Sequence, residues 1–270
     1  MDLPVNQFKR ALQNGRTIFG VWLMSGAPST AEAMGCAGFD FLVLDMEHVP
    51  VDTPQMVEIL RALGNTPAPG VVRLPWNDMV MVKRALDGGA QTVMLPFVQN
   101  ADEAKRAVAY TRYPPAGIRG VAGLHRASRY ATVPNYLAHA NTEICVIVQI
   151  ETLTALAELE AIAAVPGVDS IFVGPGDLSA SMGHLGQASH PDVVAAITRG
   201  MAIVRAAGKA PGTLMTDSKA SRYYLEQGAL FVAVGVDAML LMHAARTLAA
   251  EFKRGVNAAA GAPAKPSSYA

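Results

Sequence analysis

Eight short apolar segments alternate with helix-like segments along most of this 270-residue chain. The apolar segments are rich in β-branched residues without polar alternation, as is typical of strands buried on both faces of a parallel sheet. We predict strands at Thr17–Met24, Phe39–Asp45, Gly70–Leu74, Thr92–Val98, Ile144–Ile150, Ser170–Val173, Ala210–Met215 and Phe231–Gly235. Helices are predicted at Ser29–Ala37, Thr53–Leu63, Asp78–Asp87, Ala101–Arg112, Thr154–Ala164, Asp192–Ala207, Ser218–Gln227 and Met239–Phe252.

This repeat predicts a (β/α)8 TIM barrel, because eight strand–helix units fit a chain of this length. A doubly wound open sheet is the alternative, but it normally has fewer strands and a glycine-rich fingerprint after the first. The first strand here is followed by Ser25-Gly26-Ala27-Pro28, which lacks that fingerprint. We therefore expect a single barrel domain over residues 1–256. The tail, residues 257–270, is rich in Ala, Pro, Ser and Gly and is predicted to be disordered.

The composition excludes several classes of function. A formal net charge of zero, without a basic stripe, argues against nucleic acid and anionic membranes as partners. No apolar run approaches the ~20 residues that a membrane-spanning helix needs. Cys36 and Cys145 have no nearby cysteine in the sequence, so we interpret both as buried free thiols. With a charged N-terminal segment that is unlike a signal peptide, these features predict a cytoplasmic protein that acts on small molecules.

Two acidic residues stand where predicted strands end. Glu151 follows the apolar run that closes the fifth strand, and Asp177 follows Gly174-Pro175-Gly176, a turn that opens a helix after the sixth strand. Carboxylates at the ends of neighbouring parallel strands can hold a small divalent cation. The alternative is that both acids cap the helices that follow them.

Further polar residues gather at the predicted strand ends, where the active sites of barrel enzymes lie. They are Trp22, Asp45, Glu47, His48, Arg73 and Gln149. Each has a structural interpretation: Trp22 as core packing, His48 as a hydrogen-bonded loop residue, and Arg73 as a salt-bridge partner of Glu47. Asp87 lies near a helix C-terminus, where an acid opposes the helix dipole, so we expect a cationic or histidine partner for it.

Taken together, these residues predict chemistry on a 2-oxo acid. A cation on Glu151 and Asp177 could chelate the keto and carboxylate oxygens and stabilise the enolate formed when the adjacent carbon–carbon bond breaks. Arg73 adds positive charge where that oxyanion develops, and His48, made more basic by Asp87, moves a proton. A Schiff-base mechanism is disfavoured, since the lysines fall on helices, at the termini or, for Lys209, before a strand.

Several segments closely resemble those of a known family. They are Phe39-Asp40-Phe41-Leu42-Val43-Leu44-Asp45-Met46-Glu47-His48, Val72-Arg73-Leu74-Pro75-Trp76-Asn77-Asp78, Thr111-Arg112-Tyr113-Pro114-Pro115-Ala116-Gly117-Ile118-Arg119-Gly120, Val148-Gln149-Ile150-Glu151-Thr152 and Val173-Gly174-Pro175-Gly176-Asp177-Leu178-Ser179. Across Phe8 to Phe252 the chain resembles the HpcH/HpaI class II (metal-dependent) pyruvate aldolases. The resemblance implies a barrel of the phosphoenolpyruvate/pyruvate type. Two departures from many relatives, Met46 and Gly176 in place of Gly and Ala, remove no functional side chain.

The resemblance also implies a role for each site residue. His48 matches the catalytic base, Asp87 the acid that raises its basicity, and Arg73 the transition-state stabiliser. Glu151 and Asp177 match metal ligands, with Mg²⁺, Mn²⁺ or Co²⁺ accepted. The substrate-binding positions are Gln149, Gly176 and Asp177 for the pyruvate portion, and Trp22 and Leu214 near the aldehyde. A homohexamer, a trimer of dimers that exchange the last helix, is implied as well.

The implied reaction is reversible cleavage of 4-hydroxy-2-oxoheptanedioate to pyruvate and succinate semialdehyde, a step of aromatic catabolism. Aldolases for 2-dehydro-3-deoxy sugar acids (glucarate or rhamnonate) are the main alternative, because they share the pyruvate half. Trp76 and Arg126 are the positions that we expect near the distal carboxylate. A CoA-ester lyase would need a longer C-terminal lid, and a barrel that only binds a metal–oxo-acid complex would not need His48 and Asp87.

Overall fold

The computed structural model of the chain describes residues 3–260, with side chains described as far as residue 254. Eight parallel strands close into a barrel in the order β1 to β8. Their bounds are β1 Ile18–Leu23, β2 Phe41–Asp45, β3 Gly70–Arg73, β4 Thr92–Leu95, β5 Cys145–Ile150, β6 Ser170–Val173, β7 Ala210–Leu214 and β8 Phe231–Val236. The prediction of a (β/α)8 barrel is confirmed, with each strand at its predicted place.

Helices connect the strands and surround the barrel. They are α1 Gln7–Gln13, α2 Pro28–Gly35, α3 Thr53–Leu63, α4 Met79–Asp87, α5 Ala101–Thr111, α6 Tyr136–His139, α7 Leu153–Ala157, α8 Leu159–Ala163, α9 Pro175–Ser181, α10 Pro191–Ala206, α11 Ser218–Glu226 and α12 Asp237–Ala260. Short 3-10 turns cover Arg126–Ser128 and Ala140–Glu143. No helix in the described part of the chain is both long and apolar enough to cross a bilayer.

Aromatic rings fill the N-terminal end of the barrel. Phe8 of α1 lies edge-to-face against Phe41 and Phe231, with ring centroids 5.3 and 5.5 Å apart. Gly20 and Gly212 leave room for those rings, because a Cβ at either position would lie within 2.5 Å of Phe41 or Phe231. This packing closes the barrel floor, so the opposite end, where the strands finish, is available for chemistry.

The strands are buried on both faces, as their continuous apolar sequences predicted. In β3, Val71 packs inside the barrel, and Val72 packs outward in the layer between strands and helices. Because both layers are apolar, the polar residues at the strand ends cannot be part of either core. They instead face one another at the end of the barrel where the strands finish, which we call the mouth.

Some local predictions need correction. The predicted helix 154–164 is two short helices, α7 and α8, because the chain turns at Glu158. Cys145 is buried as expected, but Cys36 is exposed. Helix α12 continues to Ala260, past the predicted boundary at 257. The rest of the predicted disordered tail, 261–270, lies outside the described residues.

Candidate active site

Asp45 and Arg73 form the most extensive ion pair of the mouth. The register of β2 and β3 places these two strand-end residues opposite each other. Arg73 donates from Nε to Asp45 Oδ1 at 3.0 Å and from Nη2 to Oδ2 at 2.5 Å. Burial alone would raise the pKa of Asp45, but the hydrogen bonds and charge of Arg73, with a bond from Trp22, bring it below its ordinary value. Asp45 is therefore an anion that fixes the guanidinium.

Trp22 supports this pair from the end of β1. Its indole N–H donates to Asp45 Oδ2 at 3.0 Å, and the Arg73 guanidinium lies 4.7 Å from its ring centroid. Only 2% of Trp22 is exposed, and the ring packs against Phe172. The packing interpretation of Trp22 therefore describes this chain, and its predicted contact with the aldehyde stays a prediction.

Arg73 also reaches Glu47, so the predicted salt bridge between them is confirmed. Its Nη1 lies 2.7 Å from Glu47 Oε2, as an ion pair without aligned hydrogen-bond geometry. Burial, assisted by the neighbouring charges of Asp45 and Asp177, raises the pKa of Glu47 despite Arg73. Arg73 thus lies between two carboxylates, and the second of them is close to the predicted metal ligands.

Glu151 is a buried carboxylate at the end of β5, with 1% of the residue exposed. The backbone N–H of Phe97 donates to its Oε1 at 2.8 Å, and the Gln149 amide donates to its Oε2. Burial is the main cause that raises the pKa of Glu151 to about 7, and the charges of Glu47 and Asp177 add to it. No basic side chain forms an ion pair with Glu151 among the described residues. A buried carboxylate without a basic partner has the chemistry of a cation ligand.

Two backbone features hold Glu151 in place. Phe97, whose N–H donates to it, has a left-handed φ of 56°, a conformation unusual for a bulky residue. Gly174 faces the carboxylate, since a Cβ there would lie 2.8 Å from Glu151 Oε2 and 3.2 Å from Gln149 Nε2. Sequence reasoning missed both residues. The signal for Gly174 was its place directly before the Pro-Gly-Asp turn.

Asp177 lies in the first turn of α9, beside Glu151. It is exposed, and its side chain makes no hydrogen bond or ion pair within the described chain. Neither acid is an N-cap residue, because Thr152 caps α7 and Gly174 is the N-cap position of α9, although Asp177 lies in the first turn of that helix, where its charge suits the helix dipole. Among the described residues, the carboxylates of Glu47, Glu151 and Asp177 do not bring three oxygens within 4.8 Å of one another. A cation on Glu151 and Asp177 would therefore keep open coordination positions.

Other predicted pyruvate contacts surround these acids. Gln149 is buried, and its Oε1 has no hydrogen-bond partner within the described residues. An unpartnered buried amide oxygen at this position is consistent with a group that the chain itself does not supply. Gly176 lies in the open first turn of α9, with nothing within 4 Å of a Cβ placed there. Leu214 is half-buried at the end of β7.

His48 and Asp87 are not brought together within one chain. His48 is exposed after β2, and its backbone N–H donates to Asp45 Oδ1 at 3.3 Å. Asp87, at the end of α4, accepts from Arg119 Nη2 at 2.6 Å and lies 3.6 Å from His125 Nε2. The expectation that Asp87 has a cationic or histidine partner is correct. That this partner is His48 is not supported by the geometry of the chain.

Arg126 lies at the wrong end of the barrel for the predicted contact with a distal carboxylate. It donates to the carbonyls of Gly88 and Leu60, at 3.0 and 3.2 Å. It also lines a cavity of about 550 Å³ that includes Gly70 and Thr92, the first residues of β3 and β4. Within one chain it cannot reach the mouth. Trp76, in contrast, is 54% exposed and stacks on Phe97 beside Glu151, with ring centroids 5.7 Å apart.

Comparisons with known proteins show the family of the chain. The family model described as HpcH/HpaI aldolase/citrate lyase matches residues 18–244. A curated relative from Salmonella heidelberg (strain SL476), named 4-hydroxy-2-oxo-heptane-1,7-dioate aldolase, is 52% identical over 248 residues, which are 92% of this chain and 94% of the relative.

Solved structures show the same fold. An HpcH/Hpal aldolase/citrate lyase family protein from Burkholderia cenocepacia J2315 superposes with a TM-score of 0.90 and 42% identity, covering 92% of this chain and all of that one. A more distant structure, the citrate lyase beta subunit of M. tuberculosis, is described as complexed with oxaloacetate and magnesium. It has a TM-score of 0.55 and 17% identity, with coverage of 83% of this chain and 92% of that one, so it supports the fold alone.

Proposed function

The chain belongs to the HpcH/HpaI aldolase/citrate lyase family, and we propose that it reversibly cleaves 4-hydroxy-2-oxoheptanedioate to pyruvate and succinate semialdehyde with a divalent metal. The observation that carries the proposal is the environment of Glu151. A buried carboxylate with a pKa of about 7, next to Asp177 and facing Arg73 across Glu47, is suited to binding a cation and an anionic substrate together. The names of the relatives at 52% identity support the substrate.

Glu151 and Asp177 would hold the metal. An all-oxygen donor set favours hard cations such as Mg²⁺ or Mn²⁺, and Co²⁺ is a further candidate. When bound there, such a cation supplies Lewis acidity that polarises the keto group of a 2-oxo acid. The two protein ligands leave positions for the keto and carboxylate oxygens of the substrate.

Other groups at the mouth would bind the substrate and stabilise the charge that develops on it. The Gln149 amide and the backbone N–H groups of Gly176 and Asp177 would bind the pyruvate portion at the start of α9, where the helix dipole favours an anion. Arg73, held rigid by Asp45, provides fixed positive charge for the developing enolate oxygen. Because the pair already has its final geometry, little reorganisation is needed during the reaction.

His48 is proposed as the base. It would take the proton of the 4-hydroxyl group while the bond between carbons 3 and 4 breaks. The electron pair of that bond moves into the enolate of pyruvate, and succinate semialdehyde leaves. Carbon 3 then receives a proton to give pyruvate, so the protons and electrons balance. The exposed position of His48 next to Glu47 is consistent with a group that meets substrate at the mouth.

A Schiff-base mechanism has no support from the described lysines. Lys9 donates to the Ile144 carbonyl at 2.8 Å, and Lys209 donates to the Val168 carbonyl at 2.7 Å. Both carbonyls precede strands, so both amines lie at the N-terminal face of the barrel. Neither Lys9 nor Lys209 can therefore act as the nucleophile that forms a Schiff base at the mouth.

Chelation tests the metal directly. Treatment with EDTA should abolish cleavage, and Mn²⁺ or Mg²⁺ should restore it. Borohydride added with pyruvate should trap no covalent adduct, which mass spectrometry of the intact chain would detect. Activity that persists in chelator, or a trapped adduct, would refute the metal-dependent mechanism.

The acceptor side favours an aliphatic aldehyde, succinate semialdehyde, over the hydroxylated aldehyde that a sugar acid would release. The Trp76–Phe97 stack gives the mouth an apolar wall next to Glu151, which suits the two methylene groups of succinate semialdehyde better than the hydroxyl groups of a sugar. Values of kcat/KM for 4-hydroxy-2-oxoheptanedioate and for 2-dehydro-3-deoxy-glucarate and -rhamnonate would rank these substrates. A higher value for a sugar acid would overturn this choice.

We also propose assembly as a homohexamer through α12. This helix carries a series of exposed apolar residues, namely Met239, Leu240, Leu241, Met242, Leu248 and Phe252. A face of this kind is expected to be covered by protein in an assembly. Light scattering after size exclusion measures the assembly, and Leu241→Glu should reduce its mass, whereas a monomeric wild type would contradict the proposal.

A further inference from the structure

We infer that the chain has a second metal site, formed by His184, His190 and Asp192 and separate from the acids of the mouth. One donor atom from each residue lies within 4.8 Å of the other two. Asp192 Oδ2 is 3.6 Å from His184 Nε2 and 3.7 Å from His190 Nδ1. The imidazole rings are stacked with centroids 3.6 Å apart and an interplanar angle of 15°.

The three residues lie where α9 is joined to α10. His184 follows α9, and its backbone N–H donates to the Ser179 carbonyl at 2.7 Å. His190 is the N-cap of α10, and Asp192 lies in the first turn of that helix. The positions of His190 and Asp192 are thus fixed by the helix, and that of His184 by a backbone bond to the preceding helix. The fold of the chain therefore places the three donor residues close together.

The donor atoms are chemically ready for an ion. His190 Nδ1 accepts a long hydrogen bond from the Asp192 N–H at 3.3 Å, so it carries a lone pair, and an ion bound to that nitrogen would replace this capping bond. Bonds of about 2.0–2.1 Å in a tetrahedral site place ligand atoms about 3.3 Å apart. The two separations from Asp192, 3.6 and 3.7 Å, therefore need to shorten by only a few tenths of an ångström, whereas one imidazole must turn out of the stack to share the ion. The His184 and His190 side chains are half-buried, and Asp192 is open to solvent, so an ion can enter.

A site of two imidazoles and one carboxylate prefers a different class of metal than the carboxylates of the mouth do. Nitrogen donors favour Zn²⁺, Ni²⁺ or Cu²⁺, whereas the carboxylates Glu151 and Asp177 suit Mg²⁺ or Mn²⁺. An ion at the histidines would tie the end of α9, the helix that carries Asp177, to the start of α10. We assign this site a structural role, as a clamp on the connection between those helices, with water completing the coordination.

Calorimetric titration with Zn²⁺ tests the site in wild-type protein saturated with Mg²⁺, which on the proposed function would occupy the mouth. We expect one Zn²⁺ per chain with micromolar affinity, and a melting temperature higher by about 2 °C or more with Zn²⁺ present. Cu²⁺ in its place should give an electron paramagnetic resonance spectrum with coupling to two nitrogens. The variant Glu151→Gln/Asp177→Asn should still bind one Zn²⁺, because it changes only the mouth.

Substitutions in the cluster test whether its side chains bind the Zn²⁺. His184→Ala should weaken Zn²⁺ binding at least tenfold and remove the gain in melting temperature, and Asp192→Asn should weaken it while keeping the backbone bond at the N-cap. His139→Ala, which removes an exposed histidine outside the cluster, should bind Zn²⁺ as the wild type does. Equal Zn²⁺ binding by His184→Ala and wild type would overturn the inference, as would the absence of Zn²⁺ binding by the wild type. Circular dichroism confirms that each variant is folded.

Discussion

Asp45 and Arg73 are register partners on adjacent strands, and Arg73 donates two hydrogen bonds to Asp45 at the barrel mouth. Asp45 is 1% and Arg73 is 6% exposed, so water competes little for these bonds. The same guanidinium contacts Glu47 and the face of Trp22. Arg73 is therefore a positive charge whose orientation is set by three neighbours before any substrate arrives.

Asp45→Asn should lower both stability and turnover. Losing one partner of a buried ion pair costs on the order of 3 kcal/mol of unfolding free energy, and a misplaced Arg73 should reduce kcat about 10²-fold or more. Urea denaturation and steady-state kinetics measure the two effects. Asp102→Asn is the matched control, because its pair with Lys105 is exposed, and it should change neither quantity. Unchanged kcat in Asp45→Asn would contradict the role of Arg73.

Gly174→Ala should weaken metal binding, because its methyl group would meet Glu151 Oε2 at 2.8 Å. The backbone φ of −79° suits alanine, so the effect is steric and does not involve backbone strain. We expect at least a tenfold rise in the Kd for Mn²⁺, measured by titration. Gly176→Ala, two residues away, adds a methyl group in open space and should bind Mn²⁺ within about twofold of wild type. Equal affinities in the two variants would show that Glu151 tolerates the methyl group.

The metal-free protein should become less stable as pH rises from about 4.5 to 7. Burial raises the pKa of Glu151 to about 7, above the value of 4.5 expected in the unfolded chain. The folded state therefore binds more protons in this window, and the free energy of unfolding falls as the proton is lost, by at most about 3 kcal/mol. Thermal melts in EDTA from pH 4.5 to 7.5 measure the slope. Glu151→Gln should flatten it, although Glu47, whose pKa is also raised, keeps part of it.

The stabilisation of the fold by bound metal should increase with pH, which is opposite to the trend for the metal-free protein. Because a cation needs ionised Glu151, the stabilisation by Mn²⁺ should grow as pH rises toward 7.5 and vanish near pH 5. Melting curves with and without Mn²⁺ at each pH give this difference. A metal effect that does not depend on pH would argue against Glu151 as a ligand.

Asp87→Asn should destabilise the fold. The Arg119 side chain is 0% exposed and would lose its hydrogen-bonded carboxylate, so we expect a cost of about 2–3 kcal/mol in urea denaturation. Glu58→Gln, which breaks an exposed pair with Arg61, should cost less than about 0.5 kcal/mol. A stability like that of wild type, with a shifted pH profile of kcat, would instead support the predicted coupling of Asp87 to His48.

His48→Ala should remove turnover and leave the metal in place. Loss of a general base lowers kcat by about 10²–10⁴-fold, while Glu151 and Asp177 keep their positions. Steady-state kinetics measures the loss of turnover, and Mn²⁺ titration of the same sample measures metal binding. His139→Ala, at another exposed histidine, serves as the control. Retained turnover in His48→Ala would exclude it as the base.

The amino-acid sequence by itself determined the barrel and the end at which its chemistry lies. Continuous β-branched segments that alternate with amphipathic ones are a local property of the chain, so each strand could be placed within a few residues. Strand ends then located Glu151, Asp177 and Arg73, because the active sites of such barrels lie at the C-terminal face. The salt bridge of Arg73 with Glu47 could also be anticipated, since Arg73 ends β3 and Glu47 follows the end of the neighbouring strand β2.

Only the tertiary structure decided which side chains meet. The partners of Asp87 proved to be Arg119 and His125, the N–H that holds Glu151 comes from Phe97, and Arg126 lies at the opposite face. Each of these contacts joins residues far apart in the chain, and its geometry depends on loop conformations and side-chain rotamers that periodicity does not encode. Hydrophobic pattern is set residue by residue along the sequence, whereas the pairing of buried charges is set by what the folded chain brings within about 4 Å.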